Sequence, residues 1–221
     1  MDTYTHEKGD DFDMTEQNGN RPLAERGVVI ALVGMTGSGK TTVARHLSAM
    51  LGCRYFDLDR LIEMKTGKTV RALFDESGEA AFRETERACL ENTLRSLGEK
   101  YPVSVLSTGG GVVLNRENVE LLKREAISVC LVRAVSDVMK HERTMARPPI
   151  NGDPDTYRRI AKEREPLYRS ASDYFIFNRN SEESAAQILQ FLKNRPDCAR
   201  LKIGKIRYKS KPHNGKRHGG F

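Results

Sequence analysis

The chain has 221 residues, 30% of them charged, with four cysteines, no Trp, a mean hydropathy of −0.58 and a formal net charge of +7. This length suits one α/β domain with a full core and is short for two, and the lack of any apolar run of roughly eighteen residues excludes a helical membrane span. The charge is uneven: residues 195–221 carry nine Lys/Arg against one Asp, so the rest of the chain sums to about −1 and the high pI belongs to a tail.

Residues 1–26 are acidic and aperiodic and read as a disordered tail. Their start, Met1-Asp2-Thr3-Tyr4, has neither the basic nor the apolar region of a secretory signal. The first patterned element is residues 28–33, a β-branched apolar run of the kind that forms a buried parallel strand. It leads into Gly34-Met35-Thr36-Gly37-Ser38-Gly39-Lys40-Thr41, which matches G-x-x-x-x-G-K-[ST]. The helical pattern of residues 41–51 follows. Strand, glycine-rich loop and helix N-terminus together surround a polyphosphate with backbone N–H groups. Lys40 would reach the β- and γ-phosphates, and the Thr41 hydroxyl would ligate Mg²⁺. A plain glycine turn is the bland alternative, disfavoured because all three parts agree.

A second strand at 54–56 ends on Phe56-Asp57-Leu58-Asp59. Carboxylates at the C-terminal end of such a strand face ligands in open α/β sheets. Their alternation predicts separate jobs, one near Mg²⁺ and one near an acceptor hydroxyl, although a helix N-cap with a first-turn acid also explains them. Residues 58–97 form a helical insertion. Within it, Arg83 and Glu86 are three apart on one helix face, so an ion pair can hold the guanidinium ready for a carboxylate. A solvated charged face is the ordinary fate of such pairs.

The third strand, 103–107, runs into Thr108-Gly109-Gly110-Gly111, where glycines permit close backbone approach to a ligand. No Asp follows this strand, so Asp57 must supply any magnesium carboxylate. Strands at 127–132 and 174–177 complete a βαβ rhythm. Between them residues 140–155 are polar and rich in Arg and Pro, as a lid over a nucleotide would be. Arg147 lies there, and Arg164 ends a helical stretch that Pro166 is expected to break. A helix at 182–192 precedes the basic tail, 196–221, which reads as a disordered extension rather than a nucleic-acid site. The cysteines (Cys53, Cys89, Cys130, Cys198) lack C-x-x-C spacing and read as reduced, core-filling thiols of a cytoplasmic protein.

In this order, the phosphate loop, Asp57-Leu58-Asp59, Gly78-Glu79 with Phe82-Arg83 and Glu86, the glycine triplet, Arg147-Pro148 and Arg164-x-Pro166-Leu167-Tyr168 resemble the shikimate kinase family over residues 28–192. The resemblance implies a P-loop three-layer α/β/α sandwich over residues 27–195, with a five-stranded parallel sheet in the order 2-3-1-4-5, a helical substrate-binding insertion and a short lid. It implies ATP-dependent phosphorylation of the 3-hydroxyl of shikimate, a step of chorismate and aromatic amino acid biosynthesis, with one Mg²⁺ per subunit. By that likeness, Gly37, Ser38, Gly39, Lys40, Thr41, Thr42 and Arg147 bind ATP, and Thr41 and Asp57 hold Mg²⁺. Asp59, Arg83, Gly109, Gly110, Gly111 and Arg164 bind shikimate; Lys40, Asp59 and Arg147 are the catalytic set. A cytoplasmic monomer is expected, with shikimate and ATP as its partners and neither membrane nor nucleic acid among them.

Two positions depart from the family pattern. Pro149 stands where a bulky aliphatic usually follows the lid Arg-Pro. Lys140 stands where the family often has an Arg stacked on adenine, with Arg143 nearer the lid. Three other readings share parts of this pattern: a gluconate-type kinase, a nucleotide kinase, and a non-catalytic kinase-fold regulator whose basic tail binds nucleic acid.

Overall fold

The computed structural model describes residues 26–140 and 153–198. Its centre is strand β1 (Val28–Val33), buried at every position. Because side chains alternate along a strand, β1 feeds two cores. Val28, Ile30 and Leu32 pack with helices α1 (Lys40–Leu51) and α7 (Ser181–Lys193) on one face. Val29, Ala31 and Val33 pack on the other face with α3 (Val70–Lys100), α4 (Arg116–Glu125) and α6 (Pro154–Ala171). This is a three-layer sandwich. Leu47 and Ile188 are fully buried between α1 and α7, and truncating such a side chain to alanine costs about 2–5 kcal/mol.

The other strands are β2 (Arg54–Asp57), β3 (Val103–Ser107), β4 (Ile127–Val132) and β5 (Tyr174–Phe177). All pairings are parallel and the order is β2-β3-β1-β4-β5, as expected. Register pairs Leu32 with Ser107, Val33 with Cys130 and Asp57 with Ser107. The strands therefore end together, and residues 34–39, 57–59, 108–111 and 178 gather along one edge of the sheet. That edge is where parallel α/β sheets bind ligands.

The insertion is two helices, α2 (Leu58–Thr66) and α3, and α3 turns at Gly78, whose φ of 77° and ψ of 170° are non-helical. A short helix, α5 (Val135–Val138), follows β4. The expected break at Pro166 does not occur: α6 continues to Ala171. Pro166 and Lys162, whose carbonyl loses its helical partner, both lie on the exposed face, so water can satisfy the freed group. Buried Tyr157 and Ile160 on one side, and Tyr168 and Ala171 on the other, hold the two halves in line.

Arg147, Pro148, Pro149 and Arg143 lie outside the described residues, as do the outer parts of both tails. Buried packing reaches into the segment assigned to the basic tail, because Cys198 is 2% exposed in the core shared by α1 and α7. At the other end Arg26 pairs with Glu125 at 2.9 Å. All four cysteines are free, and burial pushes the Cys53 and Cys130 thiols up to about 12, which keeps them protonated and unreactive. No helix of the described residues is long and apolar enough to cross a membrane.

Candidate active site

The loop of residues 34–39 follows β1 directly. Gly34, Gly37 and Gly39 have φ of 139°, 82° and 93°, backbone that side chains rarely adopt. Its carbonyl oxygens would repel an anion, and four of them are engaged by donors. Lys40 Nζ donates to the carbonyls of Gly34 (2.8 Å) and Met35 (3.0 Å). The Tyr157 hydroxyl donates to that of Thr36 at 3.1 Å. Asn178 Nδ2 donates to that of Ser38 at 2.7 Å, while Ser184 Oγ donates to Asn178 Oδ1 at 3.0 Å and fixes the amide's orientation. Ser38 and Lys40 are buried; Thr41 and Thr42 open α1 at its ligand-facing end.

Thr41 Oγ1 donates to Asp57 Oδ2 at 2.8 Å and lies 3.2 Å from Ser107 Oγ. Asp57 Oδ1 accepts from the Arg60 N–H at 3.4 Å as the N-cap of α2. The N-cap expected of Asp57 therefore uses one carboxylate oxygen, while the other faces Thr41. Because the Thr41 proton goes to Asp57, Ser107 Oγ is the donor in its contact with Thr41, and one Thr41 lone pair is left to face a cation. Hydroxyl and carboxylate oxygens suit a small hard ion that keeps water and phosphate as its other ligands. Among the described residues no three His, Cys, Asp or Glu side chains gather into a metal cluster.

On the acceptor side, Arg83 NH1 donates to Glu86 Oε2 at 2.7 Å, and its Nε and NH2 donate to Glu79 Oε1 at 3.3 and 3.1 Å. The guanidinium lies over the rings of Phe74 and Phe82, 5.6 and 5.3 Å from their centroids. Glu86 is 1% exposed. Burial pushes its carboxyl above the ordinary value, and the Arg83 charge pulls it back. Holding a guanidinium this firmly leaves it pre-set for an incoming carboxylate.

The three glycines are required by space, since none has positive φ. A Cβ on Gly109 would lie 2.9 Å from both Asp59 Oδ1 and Glu86 Oε1. On Gly110 it would lie 2.6 Å from Thr36 Oγ1, and on Gly111 it would overlap the Arg83 guanidinium. Helix α6 closes the back: Arg164 NH1 donates to the Gly110 carbonyl at 3.3 Å, and the Tyr168 hydroxyl donates to it at 2.5 Å. Lys140, the position compared with an adenine contact, pairs with Asp137 at 2.8 Å.

The structure thus brings Lys40, Thr41, Asp57, Asp59, Arg83, the glycine triplet and Arg164 to one edge, while Arg147 falls outside the described residues. Sequence reasoning missed Tyr157, Asn178 and Ser107. Asn178 follows β5 directly, so its strand-end position was a usable signal; nothing local marked Tyr157. Gly111→Ala provides a check. Gly111 has φ −108°, which alanine tolerates, so the fold should survive while the displaced Arg83 raises KM for a carboxylate acceptor roughly tenfold. Steady-state kinetics beside circular dichroism measure both; an unchanged KM would show that Arg83 is not a ligand group.

A family model described as shikimate kinase matches residues 36–193. A shikimate kinase of Paracidovorax citrulli is 39% identical over 163 residues, covering 72% of this chain and 87% of that protein. A shikimate kinase of Corynebacterium glutamicum is 36% identical over 168 residues, covering 74% and 96%. Among solved structures, a shikimate kinase of Acinetobacter baumannii in complex with shikimate superposes with a TM-score of 0.68 at 33% identity, covering 77% of this chain and 97% of that one. That of Bacteroides thetaiotaomicron gives 0.65 at 30% identity, covering 76% and 99%. A phosphate loop joined through three close-packed glycines to a clamped arginine, with relatives matched over nearly their whole length, places the chain in the shikimate kinase family.

Proposed function

We propose that the protein transfers the γ-phosphoryl group of ATP to the 3-hydroxyl of shikimate, giving shikimate 3-phosphate and ADP. The observation that carries this reading is the glycine strip: Gly110 packs on Thr36 of the phosphate loop, and Gly111 packs on Arg83. One short segment thereby joins a polyphosphate site to a carboxylate site.

Phosphoryl transfer depends mainly on positioning and charge neutralisation. Lys40 exchanges its loop carbonyls for phosphate oxygens and neutralises the transferring group. Arg83 and Arg164 hold the shikimate carboxylate, so the ring is fixed at the end remote from reaction. Asp59, beside Gly109, orients the 3-hydroxyl and accepts its proton as the O–P bond forms. A loose transition state asks little of that base. Thr41 and Asp57 would hold Mg²⁺, which when bound would supply positive charge to offset that of the polyphosphate. Arg147 is assigned to the phosphates as a lid residue on sequence grounds. The protein acts as a cytoplasmic monomer.

An ATP-dependent phosphorylation assay with shikimate beside gluconate and nucleoside monophosphates tests the reading. Turnover should be confined to shikimate, and Lys40→Met should lower kcat by about a hundredfold or more. Preference for gluconate or a monophosphate would overturn it. A catalytically silent chain whose salt-dependent nucleic-acid binding vanished on removal of residues 199–221 would instead mark a regulator.

Arg83→Lys keeps the charge but loses the paired donors. The KM for shikimate should rise roughly tenfold or more while that for ATP stays within about twofold; equal changes in both would make Arg83 a packing residue.

The acidic and basic tails are dispensable for catalysis on this reading. The packing of Arg26 and Cys198 sets the limits, so a shortened chain of residues 26–198 should fold and retain kcat. Loss of turnover at unchanged thermal stability would show that a tail reaches the site.

A further inference from the structure

We propose that Tyr157 is a positioning residue for phosphoryl transfer, setting the height of the phosphate loop against the acceptor loop through helix α6. The proposal rests on the kinase reading above and adds a residue to it.

Two tyrosines of α6, three helical turns apart, each donate to the backbone of a different loop. The Tyr157 hydroxyl reaches the Thr36 carbonyl at 3.1 Å, and the Tyr168 hydroxyl reaches the Gly110 carbonyl. Thr36 and Gly110 themselves touch, since a Cβ on Gly110 would lie 2.6 Å from Thr36 Oγ1 and 2.9 Å from the Thr36 nitrogen. The contacts close a ring: Tyr157, Thr36, Gly110, Tyr168 and back along α6. A ring that includes a helix is stiff, because the helix sets the separation of its two hydroxyls at 1.5 Å per residue.

Both tyrosines are buried, at 2% and 3% exposure. Burial pushes the Tyr157 phenol up to about 12, with the nearby Arg133 charge opposing, so the hydroxyl keeps its proton and remains a donor across the working range. The bond spans 121 residues of sequence. It fixes the carbonyl of Thr36, which neighbours Gly37 at the turn of the loop. In-line transfer requires the γ-phosphate and the acceptor oxygen to meet at a set distance and angle. The pair of loops sets that distance, and α6 sets the pair.

Tyr157→Phe removes one oxygen and leaves the ring in place. If Tyr157 positions the loop, kcat should fall roughly tenfold and KM for ATP should rise a few-fold, with KM for shikimate within about twofold of the parent. Among the described residues the Thr36 carbonyl is the hydrogen-bond partner that this hydroxyl serves, so the thermal midpoint should shift by only a few degrees. Tyr168→Phe should show the complementary pattern, with KM for shikimate the more affected of the two. Unchanged kcat and ATP KM in Tyr157→Phe would overturn the proposal, and so would a fall in activity that merely tracks a large drop in midpoint and is restored by assaying at lower temperature. Failure of the kinase reading is separable, since the unaltered protein would then give no product from shikimate.

Discussion

A loop that binds a polyanion must turn its carbonyl oxygens away from the ligand, and everything else at this site is arranged around that requirement. Left alone, residues 34–39 would gain nothing by doing so, because exposed carbonyls seek donors and water lies on the ligand side. The fold supplies the donors from behind. Lys40 comes from α1, Asn178 from the end of β5 and Tyr157 from α6. The parallel sheet makes this possible, since it ends all its strands on one edge and delivers three elements to the same six residues. Left-handed glycines allow the backbone to turn; the donors give it a reason to stay turned.

The acceptor side solves the opposite problem. A guanidinium that is to grip a carboxylate must not collapse onto the nearest acid and be consumed by it. Arg83 is shared between Glu86, which is buried and held, and Glu79, which is largely exposed, with two rings beneath. Burying Glu86 costs desolvation that the Arg83 charge partly offsets, as the raised carboxyl value records. The two charges therefore depend on each other, and removing either leaves the other in a poor environment.

How much of this was legible in sequence depended on the range over which each residue acts. Strands were readable nearly to the residue, because β1 and β4 are short runs rich in β-branched and apolar side chains, buried at all or nearly all positions. The phosphate loop, Asp57 and the Arg83–Glu86 pair were readable because their partners lie on adjoining turns or in a fixed motif. The glycine triplet follows the third strand as the sequence suggests, yet the physical ground for glycine there is the proximity of Asp59, Glu86, Thr36 and Arg83, which only the folded chain assembles. Tyr157 and Asn178 act across 121 and 140 residues, so no local pattern marks them. Pro166 misled, since propensity describes a helix without neighbours, whereas α6 is anchored by buried side chains on both sides of it.

Helix α7 has a consequence for how the molecule can be held. It starts at the ligand edge, at Ser181, and runs back along the sheet for thirteen residues to Lys193, a length of about 20 Å. Cys198 is then buried against the same core. The last described residue therefore lies at the end of the sandwich opposite the phosphate loop. A tether, a label or a surface attached there would meet the protein's blind end and leave the mouth of the site facing outward. That geometry makes the C-terminal side the natural handle for immobilising the enzyme in working form.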